Sequence, residues 1–160
     1  MDYCDKIMIA MLCNKLKIIN YTINEDSTID VDGDVNISKL NLKIIPIGFR
    51  KVTGTFRCDD NLLESLCGCP IEVGHDFSCI NNNLITLIGC PTKIGNNFFC
   101  HYNKLTSLLG APDIVSGNFY FGYNPGISQK TRDEYFNKIG MVINHLPIPI
   151  SHKISSSFAF

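Results

Sequence analysis

The sequence has no tryptophan, little charge and no long apolar run, and each shortage narrows what the chain can be. Charged residues make up 18% of its 160 residues and the formal net charge is −1. Phosphate recognition draws on clustered Lys and Arg, so this balance removes the electrostatic footprint of a nucleic-acid binder. No stretch reaches the roughly 18 apolar residues that a membrane-spanning helix needs. Ile7–Cys13 is apolar, but Asp2 and Asp5 precede it and no small-residue cleavage site follows, so a signal peptide is not expected. Catalytic signatures are missing as well. His75, His101, His145 and His152 fall in unrelated contexts, with no Ser/His/Asp spacing, phosphate loop or carboxylate pair beside them. At 45% hydrophobic residues the chain still has material for a core, and its length suits one domain. The missing tryptophan, with abundant Ile and Asn, suggests an AT-rich coding sequence.

What is present is a repeat. Phe56, Phe77, Phe98 and Phe119 fall 21 residues apart. Each is followed two positions on by Cys58, Cys79, Cys100 or Phe121, and then by Asn61, Asn82, Asn103 or Asn124. Leu63, Leu84 and Leu105 come next, then Leu66, Leu87 and Leu108, Gly68, Gly89 and Gly110, and Pro70, Pro91 and Pro112. Val52, Val73, Ile94 and Val115 precede the phenylalanines by four positions. A degenerate earlier unit begins at Val31, with Val35 in the Phe column and Ile37 in the Cys column. The last unit breaks at Pro125-Gly126. Atypical end units are what a capped array shows.

Val, Phe and Cys share one parity and so face one side of a strand. A single coil cannot bury that side, but coils stacked about 4.8 Å apart close a core. The asparagines are expected to bond backbone groups where each strand turns. Proline on the return favours an extended, polyproline-like path. This reading predicts a solenoid of four to five 21-residue coils, each with one short strand in a parallel sheet, capped by N- and C-terminal helices.

The order L-x-x-L-x-G-x-P-x-x-V-x-x-x-F-x-C-x-x-N-x-L resembles a leucine-rich repeat, with F-x-C-x-x-N-x-L in place of the core L-x-L-x-x-N-x-L. The short unit resembles the bacterial class found in secreted effectors. More closely, it is similar to repeat proteins of large tailed phages and giant viruses, which also open with an acidic segment like Tyr21–Ile37. The resemblance covers about Tyr21 to Gly126. It implies the α+β repeat fold and a binding role, and brings no established activity.

Four regions follow: an N-terminal capping helix over 1–20, a degenerate first repeat with an acidic edge strand over 21–51, regular repeats over 52–126, and a C-terminal helix and tail over 127–160. In the first, Cys4, Ile7, Met8, Met11, Leu12, Leu16 and Ile19 follow helical spacing and are expected to cover the first coil. Thr28–Ile37 alternates, with Ile29, Val31, Gly33, Val35 and Ile37 inward and Asp30, Asp32, Asp34 and Asn36 outward. In the last region Thr131-Arg-Asp-Glu134 has capping-box spacing, and Tyr135, Phe136 and Ile139 would dock on the final coil.

Two metal readings compete with structural ones. Asp30-Val-Asp-Gly-Asp34 resembles the start of a calcium loop, but Val35 and Asn41 stand where an EF-hand needs Gly and Glu, and strand alternation explains the aspartates. Cys58, Cys79, Cys100, Cys69 and Cys90 recur with the coil and lack paired zinc spacing, so buried, unbridged thiols are expected, as in a reducing intracellular setting. No metal, no cofactor and no catalytic residue is assigned. The variable strip beside the core columns remains: Arg57, Ser78, Phe99 and Tyr120; Asp59, Ile80, His101 and Gly122; Asp60, Asn81, Tyr102 and Tyr123. Phe99, His101, Tyr102, Tyr120 and Tyr123 form an aromatic cluster in it, and aromatics are the usual anchors of interfaces; the alternative is that these rings cover one another or pack under the C-terminal helix. The expectation is a non-catalytic protein–protein interaction module, viral and placed in the host cytoplasm, monomeric, contacting an unknown protein and neither nucleic acid nor membrane. The alternative is a structural or self-associating solenoid component.

Overall fold

A computed structural model describes residues 2–131 and 133–134. Helix α1 (Tyr3–Lys15) leads into a hairpin of β1 (Tyr21–Ile23) and β2 (Ile29–Val31), and the chain then winds as a parallel β-solenoid of about four 21-residue turns. Each turn contributes two short strands where one was expected. β2, β4 (Phe49–Val52), β6 (Glu72–Val73), β8 (Lys93–Ile94) and β10 (Ile114–Val115) stack in one sheet, with β1 added antiparallel at its end. β3 (Val35–Asn36), β5 (Phe56–Arg57), β7 (Phe77–Ser78), β9 (Phe98–Phe99) and β11 (Phe119–Tyr120) stack in the other. The Val and Phe columns both meet their own copies in the next coil, Val52 opposite Val73 and Phe56 opposite Phe77, so both segments pair. The four-residue step between the columns spans a corner, which assigns them to separate sheets.

The expected parity holds across that corner. Ile29, Val31, Val35 and Ile37 are all buried, but Thr28–Ile37 is divided between β2 and β3, not one strand. Nor is β2 an open edge, because β1 pairs with it from Tyr21↔Val31 to Ile23↔Ile29. The aspartates of this segment bond the next coil. Asp30 pairs with Arg50, Asp32 accepts from Thr53 Oγ1 at 2.9 Å, and Asp34 accepts from the Thr55 amide at 2.7 Å.

Phe56, Phe77 and Phe98 are fully buried and stack down the axis, with ring centroids 5.7 and 5.5 Å apart; Phe98 to Phe119 is 4.6 Å. Leu63, Leu66, Leu84, Leu87 and Leu105 fill the opposite wall, where the return path forms no strand. Gly89 there has φ +87°, and a Cβ on it would lie 2.6 Å from the Leu66 carbonyl carbon of the coil before, so that position is closed to larger residues.

The asparagine column is buried, and each member joins two coils. Asn82 Oδ1 accepts from the Leu63 amide at 3.0 Å, while Nδ2 donates to the carbonyls of Cys58, Cys79 and Ile80 at 3.1–3.2 Å. Asn61, Asn103 and Asn124 repeat the pattern in the coil before and in the two coils after.

The N-terminal helix docks by a face that coincides only in part with the expected stripe, of which Leu12 and Leu16 are half-buried. Its buried residues are Ile9 and Cys13, with Leu16 half-buried beside them. Cys4, Ile7, Met8 and Met11 lie outward, and Ile19 beyond the helix is exposed. Both faces are apolar, so periodicity alone does not choose between them. Asp2 and Asp5 form a reciprocal capping box at its start. Past the last coil, Ser128 Oγ accepts from the Thr131 amide at 3.2 Å, which makes Ser128 the capping residue in place of Thr131. The expected helix through Met141, with Tyr135, Phe136 and Ile139, and the tail from Pro147 lie outside the described residues.

Replacing Asn82 by Ala strands the Leu63 amide and three carbonyl bonds in the core, so unfolding stability should fall by about 2–3 kcal/mol in denaturant titration. Asn82→Asp should cost as much, since a carboxylate has no donor for those carbonyls. Asn96, exposed in the next coil, should lose less than about 0.5 kcal/mol on change to Ala. Equal losses at the two sites would show that the ladder is not what holds the corner.

Candidate functional site

The cluster read from the variable strip is assembled in the structure. β9 and β11 pair in register, which sets Phe99 against Tyr120 with centroids 4.9 Å apart and planes 3° from parallel. One corner later Tyr102 stacks on Tyr123 at 4.3 Å and 6°. His101 stands between, edge-on to Phe99 at 6.3 Å and to Tyr102 at 5.4 Å. Tyr102, Tyr120 and Tyr123 are 50%, 45% and 70% exposed, and Phe99 and His101 are half-buried. Stacking of like columns follows from the coil spacing alone, since equal positions recur at about the distance of a stacked pair.

Burial pushes the His101 imidazole below its ordinary range, against a weaker pull upward from Asp59, which favours the neutral ring. The Tyr102 phenol is raised chiefly by its own hydrogen bond with Tyr123. The cluster thus offers uncharged aromatic surface with phenol hydroxyls.

Tyr102 and Tyr123 carry a feature that parity does not reveal. Their φ angles are +56° and +54°, in the left-handed region. The whole column shares it: Lys39, Asp60 and Asn81 have φ of +60°, +53° and +54°. The corner after the Cys column demands this conformation of every coil. Asn and Asp tolerate it through local hydrogen bonding, whereas a tyrosine gains nothing from it locally. The signal in the sequence was the pair Asp60 and Asn81, residue types suited to that geometry, standing in the column that later holds two tyrosines.

The N-terminal part of the strip is partly bound into the stack and partly exposed. Asp59 is half-buried and accepts from the Ser78 hydroxyl at 2.5 Å and the Ile80 amide at 2.8 Å, so it serves the stack. Ser78 points outward by parity yet is only 3% exposed, because its short side chain lies in a column between Arg57 and Phe99. Arg57, Asp60 and Asn81 are exposed, with Asn81 donating to Asp60 at 2.8 Å.

The cysteines split into two groups. Cys58, Cys69, Cys79 and Cys100 are buried and Cys90 half-buried, all as free thiols. Cys58 and Cys79 donate to the Ser78 and Phe99 carbonyls of the following coil. Desolvation raises the thiols of Cys69, Cys79, Cys90 and Cys100. Cys4 and Cys67 are exposed. Among the described residues no three His, Cys, Asp or Glu side chains converge as a metal site, and no helix is long and apolar enough to cross a membrane. The recess beside Lys6, Ile23, Asn24 and Glu25 brings together no catalytic set. His75 is exposed on a turn, while His145 and His152 lie outside the described residues.

No protein-family model, curated protein or solved structure matches this chain.

Labelling with a thiol reagent at pH 7 should modify Cys4 and Cys67 quickly in the native protein, because they alone among the described cysteines are fully exposed. The buried column should react only after unfolding. Rapid native labelling of Cys79 or Cys100 would contradict a closed core.

Proposed function

We propose that this chain is a non-catalytic protein–protein interaction module of leucine-rich-repeat type, of viral origin, and that its partner engages Phe99, His101, Tyr102, Tyr120 and Tyr123. The observation that carries the site is the pair of exposed tyrosines in left-handed backbone. Held strain of this kind points from geometry to function. A corner that accepts Asp60 and Asn81 has no folding need for tyrosine, so selection for surface chemistry is the economical explanation. The uncharged aromatic patch suits a protein partner better than a phosphate backbone. The leucine-rich-repeat assignment rests on the F-x-C-x-x-N-x-L columns, and the viral one on the resemblance of those units and of the acidic opening.

The alternative, a structural solenoid joined end to end, is disfavoured by the antiparallel β1. It closes the N-terminal end of the larger sheet and leaves no parallel edge there for another copy to extend.

The test is the double substitution Tyr102→Asn with Tyr123→Asn. Relief of left-handed backbone gains about 1 kcal/mol per site, and loss of the stacked pair costs about 1 kcal/mol, so stability should stay within about 1–2 kcal/mol of the parent. Partner capture from the native source should fall by at least about thirtyfold, the loss expected when buried aromatic anchors are removed. Undiminished capture with intact folding would place the interface elsewhere.

A further inference from the structure

His101 is the one member of the aromatic cluster that can gain a charge near neutral pH, and its surroundings give that charge little to pair with. The ring is half-buried between the two stacked pairs, edge-on to Phe99 and to Tyr102. At the strip positions of the adjoining coils stand Ser78, Ile80 and Asn81 on one side and Tyr120, Gly122 and Tyr123 on the other, with no carboxylate among them. Of the charged groups around it only Asp59 acts on the ring, and it does so from two coils away. Asp59 is already bonded to the Ser78 hydroxyl and the Ile80 amide, Asp60 beside it to Asn81, and Arg57 shares their coil. Beyond His101 its column is open: a Cβ placed on Gly122 would meet nothing within 4 Å. Solvent therefore has access to the cluster from that side, between Tyr120 and Tyr123.

We propose that His101 makes partner binding acid-sensitive: the strip holds its partner with the imidazole neutral, and protonation of His101 releases it. This rests on the reading of the strip as the binding surface. A partner seated on Tyr102, Tyr120 and Tyr123 closes the gap over Gly122 and takes solvent from the ring. A charge buried without a counter-charge is costly, whereas a neutral imidazole is an ordinary interface ring. Burial within the free chain already acts in the same direction.

The sign follows from linkage. Covering the ring lowers the imidazole midpoint further in the complex than in the free chain, so below the free midpoint binding must expel a proton. Affinity is full above that midpoint and is lost as pH falls through it, by up to about tenfold per pH unit. A partner with a carboxylate opposite His101 would give the reverse sign.

One test needs no partner. In an NMR titration His101 should protonate at lower pH in the folded chain than in urea, and its transition should shift the ring resonances of Phe99 and Tyr102. A folded midpoint equal to or above the one in urea overturns the proposal. The second test follows the protein from the native source that the parent chain retains at about pH 7.5 and the Tyr102→Asn, Tyr123→Asn chain does not. Its retention should fall by at least about threefold at about pH 5, with circular dichroism showing the fold intact. His101→Gln, which has no proton to gain, should show no such fall relative to its own level at the higher pH. Retention that is flat, that rises on acidification, or that falls equally in His101→Gln sinks the proposal and leaves the binding surface standing. If no retained protein depends on the two tyrosines, the surface itself fails and the acid response with it.

Discussion

Everything in the solenoid depends on how the chain leaves the Phe strand. At that corner a left-handed residue reverses the backbone and leaves carbonyls of two coils pointing inward. The buried asparagine one residue later takes them up. Asn103 Nδ2 reaches Cys79 in the coil before and Cys100 in its own, and Oδ1 receives the Leu84 amide. A neutral amide is the one common side chain with a donor pair and an acceptor at that reach. Leaving such groups unpaired costs about 1–3 kcal/mol each, comparable to a large share of a small domain's net stability. The corner and the asparagine therefore form one requirement, and the inward columns on either side inherit their register from it.

Outward positions are bound less tightly but not uniformly. The column just before the phenylalanines holds Asp34, Thr55, Asp76, Asn97 and Asn118, and in it a side chain repeatedly bonds the next coil: Asp76 accepts from the Asn97 amide at 3.0 Å and Asn97 from the Asn118 amide at 2.9 Å. Asp59 does the same one corner on, through the Ile80 amide. These residues vary in identity because a carboxylate and an amide oxygen accept equally well. Variation in an outward column is thus no sufficient sign of binding. Asp59 and Ser78 vary and belong to the stack, whereas Tyr102 and Tyr123 vary in a direction the backbone resists.

The inward architecture was legible because identical columns must meet when coils stack, so Phe56, Phe77, Phe98, Cys58, Asn82 and the leucines could be placed from spacing alone. The second sheet was not. Its strands are two to four residues long, too short to show alternation, and they exist through pairing between coils, which a linear pattern does not display. The docking face of α1 was only partly read, for a related reason. Leu16 was placed on it, but Cys4, Ile7, Met8 and Met11 follow helical spacing as well as Ile9 and Cys13 do, and only the contact with the first coil separates them. The aromatic cluster was legible as a set of residues, since parity and corner position gave its membership. Its left-handed backbone was not, because tyrosine is the wrong residue type from which to infer that conformation.

The two surfaces left over by the fold sit on different elements. α1 belongs to the start of the chain, where burial raises the Cys13 thiol and Tyr21 of β1 is its hydrogen-bonding neighbour. The tyrosines belong to the last coils, at β9, β11 and the corners that follow them. The stack between them is rigid, so the distance from α1 to the aromatic strip is set by the number of coils between α1 and β11. Adding or removing a 21-residue unit would change that distance in steps of about 4.8 Å while leaving the strip and the helix intact. Repeat number is then separable from the chemistry of the strip.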